Sequence, residues 1–389
     1  MERTASFNDT NNSLSSQASL ASVPSLNSHS HFFNASTTSH TCLATLKPHT
    51  SSYASSLTLA GKFLYAGSSD REIRSWNHTI FLSENLQNTN LLTAGTGAVK
   101  SIVVHSNKLF SAHQDHKIRV WRITTHDHDQ QKFTHVATLP TLRDRVTKIL
   151  IPKNHVQIRR HKKCTWVHHV DTVSSLALSH DGKLLYSVSW DRTLKIWRTK
   201  DFACLESVRN AHEDAINAVI VSEEGQVYTG SADKKIRVWR KREGEKKHCV
   251  VETLEKHRSG INALALSSDG CVLYSGACDR SILVWEKGEN GKSVVVGALR
   301  GHTKSILCLC VVWDLVCSGS EDKTVRIWRG IEKEYSCLAV LEGHMSPIKT
   351  LTATLYHTDQ PSQVSLLLYS GSLNCDIKVW QLFLPLLST

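Results

Sequence analysis

The chain has no Cys-x-x-Cys pair, no His-Glu-x-x-His and no phosphate-cradling glycine loop in its 389 residues. The commonest signatures of zinc sites, metalloproteases and nucleotide-binding loops are therefore missing. Long apolar runs are missing too. The longest, Ile306 to Trp313, stops at Asp314, far short of the roughly 20 residues a membrane-spanning helix needs. It reads as one buried strand. Before residue 41 the only Lys or Arg is Arg3, and no apolar core follows it. That start predicts no secretory signal, and its poverty in Arg makes an organelle transit peptide the lesser expectation.

The eleven cysteines are an odd number, scattered mostly inside apolar runs. This predicts reduced, core-filling thiols in an intracellular protein. Cys308 and Cys310 share a strand face, but no second pair completes a zinc site, so neither a metal nor a cofactor is expected. Charge of one sign is in shorter supply: 46 Lys and Arg against 35 Asp and Glu give a formal net charge of +11. That excess favours acidic partners without saying anything about fold.

What is present is a repeat. Seven segments align: AGSSDREIRSW ending at Trp76, SAHQDHKIRVW at Trp121, SVSWDRTLKIW at Trp197, TGSADKKIRVW at Trp239, SGACDRSILVW at Trp285, SGSEDKTVRIW at Trp328 and SGSLNCDIKVW at Trp380. The Trp-to-Trp spacings are 45, 76, 42, 46, 43 and 52, and four of the six lie close to the ~40–45 residues of a four-stranded propeller blade. Repeat five shows the internal punctuation, with four β-rich runs, INALALS, CVLYSGA, ILVWE and SVVVGAL, parted by turn residues. Single blades cannot bury both faces, so they must stack and close into a ring.

Closure needs a strand from the other end of the chain. TCLATLKPH, Thr41 to His49, mirrors SCLAVLEGH, Ser336 to His344. Cys42 to Leu46 should therefore be the outer strand of blade seven. The expected organisation is a disordered Ser/Thr/Asn-rich tail over 1–40 and a single all-β, seven-bladed propeller over 41–382. A basic insert at about 140–168 separates blades two and three, and a short tail runs over 383–389.

These motifs resemble the WD-repeat family from residue 41 to 382, although no repeat Trp is followed by Asp. Asn77, Arg122, Arg198, Arg240, Glu286, Arg329 and Gln381 follow instead. The KIWR, RVWR and RIWR endings, LPTLRDRV, PKNHVQIRRHKK and SVSWD are similar to the plant JINGUBANG-like subgroup. That resemblance implies a regulatory, non-enzymatic plant protein associated with pollen germination.

Repeats three to six each carry a His, a hydroxyl, an Asp and a Trp in fixed register. They are His169, Ser187, Asp191, Trp197; His212, Thr229, Asp233, Trp239; His257, Ser275, Asp279, Trp285; and His302, Ser318, Asp322, Trp328. A hydrolase triad would need one exposed hydroxyl and one oxyanion site. A motif recurring once per blade reads instead as a buried hydrogen-bond chain, which is also what the family resemblance implies, so no catalytic residue is expected. Repeat one has His49, Asp70 and Trp76 but Ala66 for the hydroxyl. Repeat two has Ser111, Asp115 and Trp121 but Gly95 for the His. Repeat seven has His344, Ser370 and Trp380 but Asn374 for the Asp. Blades seven, one and two should form the weakest sector.

The resemblance further implies that the loops leading into the blades and the Asp turns emerge on one narrower face. Ser69, Gln114, Trp190, Ala232, Cys278, Glu321 and Leu373, each preceding a turn residue, should line it. The insert should emerge there as a long loop, offering Arg159, Arg160, Lys162, Lys163 and Trp166 beside Trp190 as partner-binding candidates. The favoured function is a protein-interaction scaffold in the cytoplasm, the nucleus or both, with an acidic protein or a transcription regulator as partner. A cullin-RING substrate receptor is an alternative, weakened because Arg240 replaces the Asp wanted between Trp239 and Arg242. Nucleic-acid or acidic-lipid binding through the insert is another, weakened by the lack of interleaved aromatics for base stacking.

Overall fold

The computed structural model describes residues 23–27, 38–47, 52–79, 89–126, 130–149, 155–159, 162–242, 244–245, 247–288, 290–331, 334–357 and 363–385. Seven four-stranded antiparallel sheets succeed one another along the chain. Blade five is representative, with strands Ile261–Leu266, Val272–Ala277, Ile282–Lys287 and Ser293–Leu299 running from the axis outward. Its first turn closes at Gly270, whose φ of +71° favours glycine. The second strand of each blade is almost wholly buried on both faces, as in Phe63–Ser68 and Leu315–Ser320. It lies in the middle of a sheet that neighbouring sheets cover on both sides, hence the near-continuous apolar and small residues.

The inner strands pack side by side around the axis, and that of blade one, Ala54–Ala60, touches those of blades two and seven. The ring is closed as expected: Ser39–Leu46 pairs antiparallel with Ile377–Pro385, placing Cys42 opposite Trp380 and Leu46 opposite Ile377. Leu46 is buried among Trp76, Tyr369 and Ile377. The propeller also runs past 382. Pro385 ends the third strand of blade seven opposite Gln363, because the second strand, Gln363–Ser372, is long enough to pair that far.

Two expectations need correction. The insert is not a plain loop. It holds a helix, Leu142–Ile149, and a hairpin of His155–Arg159 with Lys162–Thr165. Thr141 Oγ1 accepts the Asp144 N–H at 3.2 Å and so caps the helix. Nor are the thiols mainly core fillers: of the ten described, only Cys204, Cys308 and Cys317 are buried, while Cys42, Cys271, Cys278 and Cys337 are exposed. Outer strands and turns carry them, where one strand face meets solvent. No helix among the described residues is long and apolar enough to cross a membrane.

Candidate functional site

The repeated tetrad forms as a chain. In blade five Trp285 Nε1 donates to Ser275 Oγ at 2.9 Å, Ser275 Oγ lies 2.8 Å from His257 Nε2, and His257 Nδ1 lies 2.9 Å from Asp279 Oδ2. Blades three, four and six repeat it with Ser187, Thr229 and Ser318. A carboxylate cannot donate, so the His Nδ1–H points at the Asp and the hydroxyl donates to Nε2. The Asp also accepts backbone N–H groups of the preceding loop and of its own turn, such as Arg258 N at 3.0 Å and Ser281 N at 3.2 Å. Burial alone would raise the Asp279 and Asp233 carboxyls. The bonds from His257 and His212, with the backbone donors, outweigh it and hold both at about 2. All four hydroxyls have zero exposure. No substrate can reach them, so their chemistry is structural.

The departing blades are less deficient than their sequences imply. In blade two the histidine comes from within the second strand. His113 Nε2 lies 2.8 Å from Ser111 Oγ, its Nδ1 lies 3.0 Å from the Gly97 carbonyl, and Trp121 Nε1 donates to Ser111 at 3.1 Å. Arg119 then occupies the space that a His at position 95 would need: a Cβ on Gly95 would sit 2.6 Å from its guanidinium. Blade two thus keeps a Trp-hydroxyl-His chain by another route, which corrects the expectation that it lacks the histidine. In blade one Ser52 Oγ donates to Asp70 Oδ2 at 2.7 Å and Ser68 bonds Asp70 Oδ1. His49 lies outside the described residues. Blade seven keeps Trp380–Ser370–His344, but Asn374 turns its amide to Asp376 at 2.8 Å. Among the described residues, the buried His344 Nδ1 and Asn374 Oδ1 make no well-formed hydrogen bond.

The seven residues expected to line one face do occupy equivalent positions. Each donates its N–H to the loop leading into its own blade: Ser69 to Tyr53, Gln114 to Ala98, Trp190 to Thr172, Ala232 to Ala215, Cys278 to Gly260, Glu321 to Ser305 and Leu373 to Pro347, all at 2.9–3.1 Å. Trp190 is 43% exposed and Leu373 39%, joined by Val170 and Met345 from the adjoining loops. Lys100 Nζ stands 5.9 Å from the centroid of the Trp190 ring. Burial, and then the charge of Lys349, lower the Lys100 pKa. Neither lysine stands out in the sequence, since each is simply the second residue of an inner strand.

The insert candidates scatter. Trp166 is half-buried against the core of blades two and three. Its carbonyl accepts the buried Lys195 ammonium at 2.6 Å, which also donates to Ser207 at 2.6 Å. Arg159, Lys162 and Lys163 lie in the hairpin strands, with Gln157 opposite Lys163 and Arg159 opposite Lys162. Arg160 lies outside the described residues. The helix before them is anchored away from the Asp turns: Asp144 accepts the Cys204 N–H at 3.1 Å, and Cys204 pairs with Trp197 at the opposite end of its sheet from Asp191.

Seven blades, four of them pinned at the turn by a Trp-hydroxyl-His-Asp chain and the others keeping parts of it, define a WD-repeat propeller. The sequence model described as WD domain, G-beta repeat, matches residues 40–77, 161–198, 203–240, 248–286, 293–329 and 335–381, more than half of the chain. The chain belongs to that family. The unmatched blade is the second, whose histidine is displaced. Among curated relatives, Protein ROOT INITIATION DEFECTIVE 3 of Arabidopsis thaliana is 27% identical over 222 residues, 51% of this chain and 50% of the relative. Small ribosomal subunit protein RACK1 of Drosophila melanogaster is 30% identical over 171 residues, 41% of this chain and 52% of the relative. The chain spans about half the length of these relatives.

Proposed function

We propose that this protein is a non-enzymatic interaction scaffold that holds an acidic protein segment on its Asp-turn face. The observation that carries the reading is Lys100 Nζ standing over the exposed ring of Trp190, with the charge of Lys349 acting on it. Neither lysine has an acidic partner among the described residues, and an exposed Trp beside a desolvated cation is a composition that anchors partners. The finer reading is a plant developmental regulator of the JINGUBANG-like kind, acting in the cytoplasm, the nucleus or both. The sequence motifs favour it, and so does a relative whose name concerns root initiation. The test compares proteins captured from plant extract by wild type, a Trp190→Ala/Lys100→Ser variant and an Arg159→Ser/Lys162→Ser/Lys163→Ser variant. Loss of the captured proteins with the first variant and retention with the second is expected. The reverse pattern would transfer the function to the insert, and salt-sensitive binding of oligonucleotides lost with the second variant would make it an anion site.

A further inference from the structure

Side grooves run between the outer strands of successive blades, and three of them share a device. Asn90 Oδ1 of blade one accepts the Gln131 N–H of blade two at 3.1 Å. Glu206 of blade three accepts the His248 N–H of blade four at 3.0 and 3.1 Å, with its Oε2 2.8 Å from His248 Nδ1. Glu252 of blade four accepts the Ser293 N–H and Oγ–H of blade five at 2.8 and 2.9 Å. The three acceptors occupy one register position, opposite the residue before the repeat Trp: Asn90 faces Ser75, Glu206 faces Ile196 and Glu252 faces Val238. Blades two and five place Ala137 and Gly297 there, opposite Val120 and Val284. Neither can accept a side-chain bond.

Blades six and seven also carry alanines there, Ala339 and Ala44; the gaps of blades two and five are filled from elsewhere in the chain. Asp144 of the insert helix serves the groove between blades two and three. Between blades five and six the acceptor is the Leu26 carbonyl, which takes the Tyr335 N–H at 2.9 Å. Leu26 belongs to Val23–Asn27, which lies extended between the two outer strands. Ser25 bridges Ala298 and Asn27 bridges Tyr335, both parallel. On the blade-five side Leu26 N–H donates to Ala298 O at 3.0 Å and Ala298 N–H to Pro24 O at 2.9 Å. Arg300 Nη2 donates to Val23 O at 2.8 Å, its N–H donates to Asn27 Oδ1 at 3.1 Å, and Asn27 Nδ2 donates to the Arg300 carbonyl. Val23 is 3% exposed. Leu26 packs beside Tyr274 and Tyr335, whose hydroxyls meet at 3.0 Å. A Cβ on Gly297 would come 2.3 Å from Leu26 Cγ. The glycine φ lies outside the left-handed region, so its missing side chain serves space, not backbone conformation.

We propose that the groove between blades five and six is a peptide-recognition site distinct from the Asp-turn face, and that its occupant is the chain's own Val23–Asn27. Recognition follows the strand-addition mode, with main-chain bonds on two sides supplying affinity. The Val23 and Leu26 pockets and the Asn27 amide supply selectivity for an aliphatic-Pro-Ser-Leu-Asn segment. Only residues 28–37 separate Asn27 from Thr38, whose hydroxyl donates to the Leu338 carbonyl of blade six at 3.0 Å. So short a tether gives an effective concentration on the order of millimolar, which keeps the segment seated in cis. A partner carrying the same segment would have to displace it.

The experiment uses the full chain and a fluorescent peptide of residues 22–28, SVPSLNS, read by polarisation. Wild type, its groove filled, should bind the peptide weakly, and Leu26→Asp should bind it at least about tenfold more tightly. Adding Gly297→Leu to Leu26→Asp should abolish that gain. Hydrogen exchange supplies a second readout: segments containing Leu26, Ala298 and Tyr335 should exchange slowly in wild type and quickly in Leu26→Asp. Equal peptide binding by wild type and Leu26→Asp, no binding by either, or fast exchange of these segments in wild type would each overturn the proposal. If Leu26→Asp does not fold, Asn27→Ala is the milder variant subject to the same comparison.

Discussion

Arg119 forks onto Asp115, with Nη1 3.1 Å from Oδ1 and Nη2 2.5 Å from Oδ2, and takes over in blade two the turn-pinning contact that a histidine makes in blades three to six. Thr96 Oγ1 adds a third bond to Asp115 at 2.9 Å. Burial alone would raise the Asp115 carboxyl, but the Arg119 and Thr96 bonds and the guanidinium charge hold it at about 2.

This arrangement needs a glycine at 95, where φ is +120°. Gly95→Ala should lower stability by about 1–3 kcal/mol through strain and overpacking. Because the collision is with Arg119, the double variant Gly95→Ala/Arg119→Ala should be less destabilised than the two single changes added together. Denaturant unfolding of the four proteins measures that coupling. Strict additivity would show that Arg119 does not hold the space.

The tetrads are expected to matter for folding alone. Ser275→Ala would leave Trp285 Nε1 and His257 Nε2 buried without partners, at about 1–3 kcal/mol for each orphaned group. Thermal melts should fall by several degrees while any partner binding measured below the melt stays unchanged. A variant that melts like wild type would refute the buried chain.

Acid should act on the ring in two stages. Burial lowers His113 and His344 from 6.5 to about 4. The unfolded chain therefore binds their protons first, and their contribution, present above about pH 6.5, is lost as pH falls to about 4. Asp233 and Asp279, held at about 2 against an ordinary 3.8, contribute above about pH 4 and lose that contribution as pH falls toward 2. His344→Gln should flatten the dependence of melting temperature on pH between 4 and 6.5, and leave the lower limb in place. An unchanged slope between 4 and 6.5 would count against neutral, buried His344.

The latch is open to a simpler challenge. Leu46→Ala removes a side chain packed against Trp76 and Ile377, and should cost about 2–5 kcal/mol. Deleting 39–46 should lower the melting temperature much further, since it exposes the edge of Ile377–Pro385. An unchanged melt after deletion would mean that blade seven is stable with three strands.

Much of this architecture was legible in the chain, because the period, the turn Asp and the closing Trp are local and repeated. The latch could be read from the mirrored Thr41–His49 and Ser336–His344. What stayed hidden depended on substitutions whose compensation lies elsewhere. His113 stands two residues after Ser111, where alternation along the strand brings it to the same side, a signal that a fixed His-to-Asp spacing overlooks. Gly297 sits unmarked inside the β-rich run SVVVGAL, and only the packing of Leu26 against it explains the glycine. Val23–Asn27 sits in polar, Ser-rich sequence whose composition gave no sign of docking. The basic insert attracted notice by charge, yet Asp144, its one acidic residue before Trp166, makes the contact that ties it down.

The pairing of Cys42 with Trp380 has a consequence for how the molecule is made. The closing strand leaves the ribosome before any of the blades, and its partner Ile377–Pro385 emerges only after blades one to six. Until that strand emerges, blades one to six have no closed ring to join. Contacts separated by so many residues form late and slowly, leaving edge strands open to other chains in the interval. Synthesis rate and chaperone supply should therefore govern the yield of closed rings more than the stability of any one blade.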